Sequence, residues 1–196
     1  MIDLFDGHCD TILKCYLEGM SMCRSPGHLD LERTRKFGRY AQFFAAFGSP
    51  EDMPGRALWE VFLEEAALLQ WELEANSDRV ALCRTGAEAE AAFQAGKAAA
   101  FFSAEGAELL DCDLEKLRIA HKMGVRAVNL TWNHPNALSG TNAKEQDRGL
   151  SEQGRAFVRE MDALGMLVDV SHLSDPGFWD VIEVSTCLLY TSDAAD

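Results

Sequence analysis

Met166-Leu167-Val168-Asp169-Val170-Ser171-His172 reads as a β-strand, with β-branched Val168 and Val170 in an apolar run that closes on polar residues. Just before it, Ser151-Glu152 opens a helix that runs through Leu164 and stops at Gly165. Just after it, Ser174 or Asp175, followed by Pro176, starts the next helix. The same alternation continues outward. Val125 to Trp132 is strand-like, follows a helical stretch from Leu114 that ends at Gly124, and leads into a long polar loop from Asn133 to Gly149. Ala98 to Ala104 is a strand running into Glu105-Gly106, after a helix from Ala87 to Ala95 stopped by Gly96. Tyr40 to Phe47 and Ile2 to His8 complete five principal strands, and Val80 to Cys83 reads as a short extra one. Between them, Leu58, Val61, Phe62, Glu65, Leu68, Leu69 and Leu73 recur at helical spacings.

Strands alternating with helices, without hairpin signals, give parallel βαβ units. A doubly wound sheet and a (β/α)8 barrel both fit that pattern. No glycine-rich phosphate loop follows the first strand, which weakens a nucleotide-binding sheet. Instead, ligand-type side chains close strand after strand: His8 and Asp10, Glu105, Asn133 and His134, and His172. Function at the carboxyl ends of several strands is the logic of a barrel.

The composition is that of a folded protein: 196 residues, 47% hydrophobic and 26% charged, with a net charge of −14. Such acidity argues against a nucleic-acid partner. No apolar run approaches the ~20 residues of a membrane-spanning helix, and the first residues carry no signal-peptide pattern, so a cytoplasmic location is expected. The six cysteines form no CxxC pair and are expected as free thiols.

In an extended chain, His8 and Asp10 point to the same side and can offer a nitrogen and an oxygen to one divalent ion. The competing reading makes Asp10 the cap of a helix that begins near Thr11. Glu105, between an apolar strand and Gly106, is placed to bridge two ions, and His172 shares strand parity with Val168 and Val170. His134 follows a strand and is placed to reach substrate. His28 reads as solvent-facing, His121 as a surface or packing residue, and Cys9 as pointing away toward packing. The Glu64-Glu65 pair and the other helix carboxylates read as solvated faces.

Six motifs carry a resemblance. They are Asp6-Gly7-His8-Cys9-Asp10-Thr11; Ala104-Glu105-Gly106; Gly124-Val125-Arg126-Ala127-Val128-Asn129-Leu130-Thr131-Trp132-Asn133; Gly149-Leu150-Ser151 with Gly154-Arg155; Val158-Arg159-Glu160-Met161; and Leu164 through Asp175. Through them the chain resembles the membrane dipeptidase (renal dipeptidase) family of zinc peptidases, peptidase family M19. The resemblance implies a (β/α)8 barrel with a two-zinc centre, of which about the first five βα units are present. It implies His8 and Asp10 as ligands of the first ion, Glu105 as the bridge that positions the hydroxide, and His172 as a ligand of the second. It implies hydrolysis of dipeptides, in some members with a D-residue at the carboxyl end, by a hydroxide held between the metals.

Three departures accompany it. Cys9 stands where the family usually has Asn. Trp132 stands where many members carry a substrate-polarising His, which leaves two alternatives: His134 takes that role, or this subgroup stabilises the transition state differently. After Glu183 the family continues to another metal-binding His and a substrate-binding Arg, whereas Cys187 to Asp196 spells the translation of a DNA-library adapter. Residues 1–186 are therefore expected to be a partial hydrolase barrel, truncated at its C-terminus, and 187–196 an artificial tail without a strand pattern. Two other functions stay open: another metal-dependent amidohydrolase, and a non-catalytic metal- or peptide-binding barrel. A homodimer of the parent protein is also left open.

Overall fold

The computed structural model describes residues 1–191. The chain forms two compact units, one of Met1–Phe47 with Leu63–Phe102, the other of Gly48–Phe62 with the chain from Ser103 onward.

In the first unit, β1 (Leu4–Asp6) pairs in parallel with β2 (Tyr40–Phe47), and β3 (Val80–Leu82) pairs in parallel with β4 (Ala98–Glu105), whose last three residues pass into the second unit. Every residue of β2 is buried, as expected for a strand covered on both faces. Ala41, Cys83, Ala89, Ala92 and Ala99 form a core cluster of small side chains that lets α4 (Gly86–Gln94) approach the strands closely. Thr85 caps α4, accepting from the Glu88 amide, while the Glu88 carboxylate accepts from the Arg84 amide. The helix α1 (Thr11–Glu18) ends at Gly19 in the left-handed conformation, and a single turn, α2 (Leu31–Thr34), is capped by buried Asp30.

In the second unit, β4 is followed by a 3-10 turn (Ala107–Leu110), α5 (Leu114–Met123), β5 (Val125–Asn129), α6 (Glu152–Leu164), β6 (Leu167–Asp169) and α7 (Asp175–Val184). β5 and β6 are parallel, with Asn129 opposite Asp169. The helix starts follow the expected chemistry. Asp113, Ser151 and Ser174 each accept from the amide three residues on, and Gly124 and Gly165 end their helices at positive φ. Phe157, Val158 and Met161 of α6 are fully buried, and α6 packs against α5, α7 and β6. The long helix α3 (Leu58–Ala75) runs through both units.

The strands are shorter at their ends than the apolar runs. β1, β5 and β6 stop before His8, Trp132 and His172, because the polar residues there turn into loops. The tail corrects one expectation. Leu189–Tyr190 forms a two-residue strand, β7, parallel to β6, with Val168 opposite Leu189. The unpaired edge of β6 offers backbone groups to any extended segment, so the tail needs no alternating pattern to pair. Residues 192–196 of the tail lie outside the described residues.

Candidate metal centre

In the first unit, His8 and Asp10 sit in the loop between β1 and α1. The His8 amide donates to Asp6 Oδ1 at 3.2 Å, and the Cys9 carbonyl accepts from the Ala45 amide at 3.0 Å, which ties the loop to β2. His8 Nε2 lies 3.3 Å from Asp10 Oδ1. The juxtaposition does not come from an extended backbone: Asp10 has φ −92° and ψ 25°, at the entrance of α1. Asp10 occupies the cap position but its carboxylate accepts no cap hydrogen bond, which corrects the capping reading and leaves the side chain to His8. Burial pushes the Cys9 thiol up to about 12, so it stays neutral and is a poor metal ligand.

The same unit splits the reading of Glu64-Glu65. Glu64 is exposed, as expected, and accepts from the Tyr16 hydroxyl, whereas Glu65 is fully buried. One Glu65 oxygen accepts from the Phe47 amide at 2.8 Å, and the other, Oε1, has no hydrogen-bond partner. Burial raises its pKa to about 8 against the opposing Phe47 hydrogen bond, with the Asp10 charge adding to the rise. Glu72 is buried too, accepting from Ser21 Oγ and the Met22 amide. The sequence held the signal for Glu65, which falls on the same helical spacing as Val61, Phe62, Leu69 and Leu73.

In the second unit, Glu105 is the last residue of β4, and only 6% of it is exposed. Gly106 turns the chain there at φ +91°, and a Cβ at that position would lie 2.7 Å from the Glu108 carboxyl. Burial holds the Glu108 pKa above the usual carboxylate range, opposed by a 2.7 Å hydrogen bond from Asn136. His172 Nε2 lies 3.4 Å from Glu105 Oε1. Strand parity does not place His172. β6 has ended, and His172 turns back at φ +67° with its carbonyl accepting from the Asn142 amide at 3.0 Å. Asn133 Oδ1 meets its Nδ1 at 3.1 Å, a contact that the residue types alone did not single out.

His134 lies in the loop after β5, its ring 5.7 Å from that of Trp132. Lys144 Nζ meets its Nδ1 at 2.8 Å and Glu51 Oε2 meets its Nε2 at 3.1 Å. A substrate atom reaching Nε2 must displace Glu51. His28 is exposed, as expected, and His121 is half-buried with further interactions. All six cysteines are free thiols.

The donors fit a zinc ion. Two atoms each about 2.0–2.1 Å from a tetrahedral zinc stand about 3.3–3.4 Å apart. The His8–Asp10 pair at 3.3 Å and the Glu105–His172 pair at 3.4 Å both have that separation, and both are the N/O mixture that zinc accepts.

Comparison with known proteins gives the chain its family. The sequence pattern of the membrane dipeptidase family (peptidase family M19) matches residues 1–195. Dipeptidase tcpJ of Claviceps purpurea is 33% identical over 168 residues, 81% of this chain and 40% of that protein. The crystal structure of a metallo peptidase from Rhodobacter sphaeroides, liganded with a phosphinate mimic of the dipeptide L-Ala-D-Ala, superposes with a TM-score of 0.83 at 29% identity. It covers 96% of this chain and 64% of that one. The structure of the M19 metallopeptidase dipeptidase AC gives 0.82 at 30% identity, over 96% and 62%. The chain thus spans about 40% of the first of these relatives and under two thirds of both solved structures. The α/β barrel class expected from the strand–helix alternation is the class of these peptidases. With its matched motifs, its parallel strands and its two histidine–carboxylate pairs, the chain belongs to the membrane dipeptidase family, peptidase family M19.

Proposed function

We propose that this chain is the metal-binding part of a zinc-dependent dipeptidase, with His8, Asp10, Glu105 and His172 as ligands of two zinc ions. The supporting observation is the donor spacing of 3.3 and 3.4 Å in the two histidine–carboxylate pairs. Zinc held by these residues would supply a hydroxide nucleophile at neutral pH and would polarise the scissile carbonyl. The chain's own residues hold the donors in place. The Asp6 carboxylate, accepting from the His8 amide, and the Ala45 amide, donating to the Cys9 carbonyl, fix the His8–Asp10 loop, and β4 delivers Glu105 from a buried strand end. His134 is the proposed substrate contact, its ring kept in register by Lys144 until a substrate oxygen replaces Glu51. Dipeptides are the proposed substrates. Among the described residues no helix is long and apolar enough to cross a membrane, and six free thiols fit a reducing compartment, so we place the protein in the cytoplasm.

The test has two arms. The first measures zinc bound per chain by this protein before and after dialysis against a chelator. The second assays a version extended to the length of its relatives against a dipeptide panel, with and without that chelator. Bound zinc together with chelator-sensitive turnover supports the reading. Turnover that survives zinc removal, or a chain that takes up no zinc, sinks it.

A further inference from the structure

Asn133 and His172 lie in different loops, the one after β5 and the one after β6, yet Asn133 Oδ1 and His172 Nδ1 are 3.1 Å apart. A carboxamide oxygen only accepts, so the ring nitrogen facing it must carry a proton. In a neutral imidazole that leaves Nε2 with its lone pair, and Nε2 is the atom 3.4 Å from Glu105 Oε1. Two acceptors facing each other at that distance repel unless a proton or a metal cation stands between them, so a metal entering there replaces a proton. The backbone points the same way. His172 is at φ +67°, a conformation that a non-glycine residue keeps only where its surroundings over-determine it. Here the Asn142 amide holds its carbonyl and Asn133 holds its ring.

We infer that Asn133 is a positioning residue that fixes His172 in the tautomer whose Nε2 is free to bind metal. The inference rests on the zinc reading above and adds a residue to it. Partners that orient a metal-binding histidine through its other nitrogen are worth about 10–100-fold in metal affinity. Asn133→Ala is therefore expected to weaken zinc binding by about that factor, with folding intact by circular dichroism. Asn133→Asp keeps an acceptor opposite Nδ1 and is expected to restore the affinity.

The experiment measures zinc affinity of the 196-residue chain by competition with a chromophoric chelator, for the original protein, Asn133→Ala, Asn133→Asp and His172→Ala. It is paired with proton–nitrogen NMR of the zinc-loaded histidine rings. Support consists of a slowly exchanging Nδ1 proton on His172 that is lost in Asn133→Ala, together with the loss and rescue of affinity. If His172→Ala loses zinc while Asn133→Ala binds as tightly as the original, the inference falls and the zinc reading stands. If His172→Ala binds like the original, or none of the proteins binds zinc, both fall. A His172 ring protonated at Nε2 in the zinc-loaded protein also overturns the inference.

Discussion

In the first unit, His8 and Asp10 are separated by one residue in the chain, and their side chains are 23% and 51% exposed. In the second, Glu105 and His172 are brought from distant parts of the chain to almost the same separation, with side chains 8% and 21% exposed. Water can solvate the first pair when no ion is present, so its mutual attraction is worth little. The second pair has less water to fall back on. A carboxylate at the buried end of β4 gives up most of its hydration, which neighbouring polar groups or a cation must replace. On the proposed zinc reading, hydration competes with an ion at His8 and Asp10, whereas an ion at Glu105 and His172 relieves a burial cost. Depth, more than ligand type, would then set how strongly each pair holds a cation.

The sharpest way to break that contrast is to compare Glu105→Ala with His8→Ala. Removing the buried ligand carboxylate removes a donor that water cannot easily replace, so Glu105→Ala is predicted to weaken zinc binding more than His8→Ala does, by about a hundredfold or more (about 2.7 kcal/mol), read by competition against a chelator of known affinity. Equal losses in the two variants would show that depth does not matter.

Glu65 is the most deeply buried acid of the first unit, and its prediction concerns stability. Its carboxyl holds a proton up to about pH 8 in the folded chain, against 4.5 for a glutamate in the unfolded chain. Between those two values the unfolded state releases a proton that the folded state keeps, so stability falls as pH rises from about 4.5 to 8 and is flat on either side. At pH 7 the difference amounts to about 3 kcal/mol. Glu65→Gln keeps an acceptor for the Phe47 amide and removes the titration. The variant is predicted to match the original near pH 4.5 and to exceed it by about 3 kcal/mol at pH 7, in urea midpoints taken across that range. An original protein whose midpoint rises with pH over this window would refute the assignment.

Much of the fold was legible because strands and helices announce themselves by period and punctuation. The run Tyr40–Phe47 is β2 without change, and Gly124, Gly165, Ser151 and Ser174 sit where the helix ends were expected. β7 was not legible, since two residues on an open edge need no pattern of their own. At the site, the residue types were readable but the routes that join them were not. Parity predicted His172, whereas a positive φ beyond the strand end delivers it. The partner of Asn133 and the burial of Glu65 were missed for different reasons. Asn133 acts on a residue far along the chain, which spacing does not record. Glu65 was grouped with its exposed neighbour, although the apolar stripe of α3 runs through it.

His8→Ala probes the exposed side of the contrast. The loop that carries it is held by backbone hydrogen bonds at Cys9 and Asp10, so the substitution is predicted to leave the fold intact. Zinc affinity should fall at least tenfold, about 1.4 kcal/mol, from the loss of one ligand. A smaller loss would remove His8 from the ligand set and leave the first unit with Asp10 alone.

The smallest effect is expected at His134. Both of its ring nitrogens already have protein partners, Lys144 at 2.8 Å and Glu51 at 3.1 Å. A substrate hydrogen bond there is an exchange of partners, so its net value is that of one ordinary hydrogen bond, about 0.5–1.5 kcal/mol. His134→Ala in the extended protein is therefore predicted to lower kcat/KM by about two- to tenfold and to leave zinc content unchanged. Glu51→Gln should act in the opposite direction. It weakens the competitor that a substrate oxygen must displace, and kcat/KM is predicted to rise by a small factor. If His134→Ala instead costs a hundredfold or more with zinc retained, the imidazole stabilises charge in the transition state, and Glu51 and Lys144 serve to orient it.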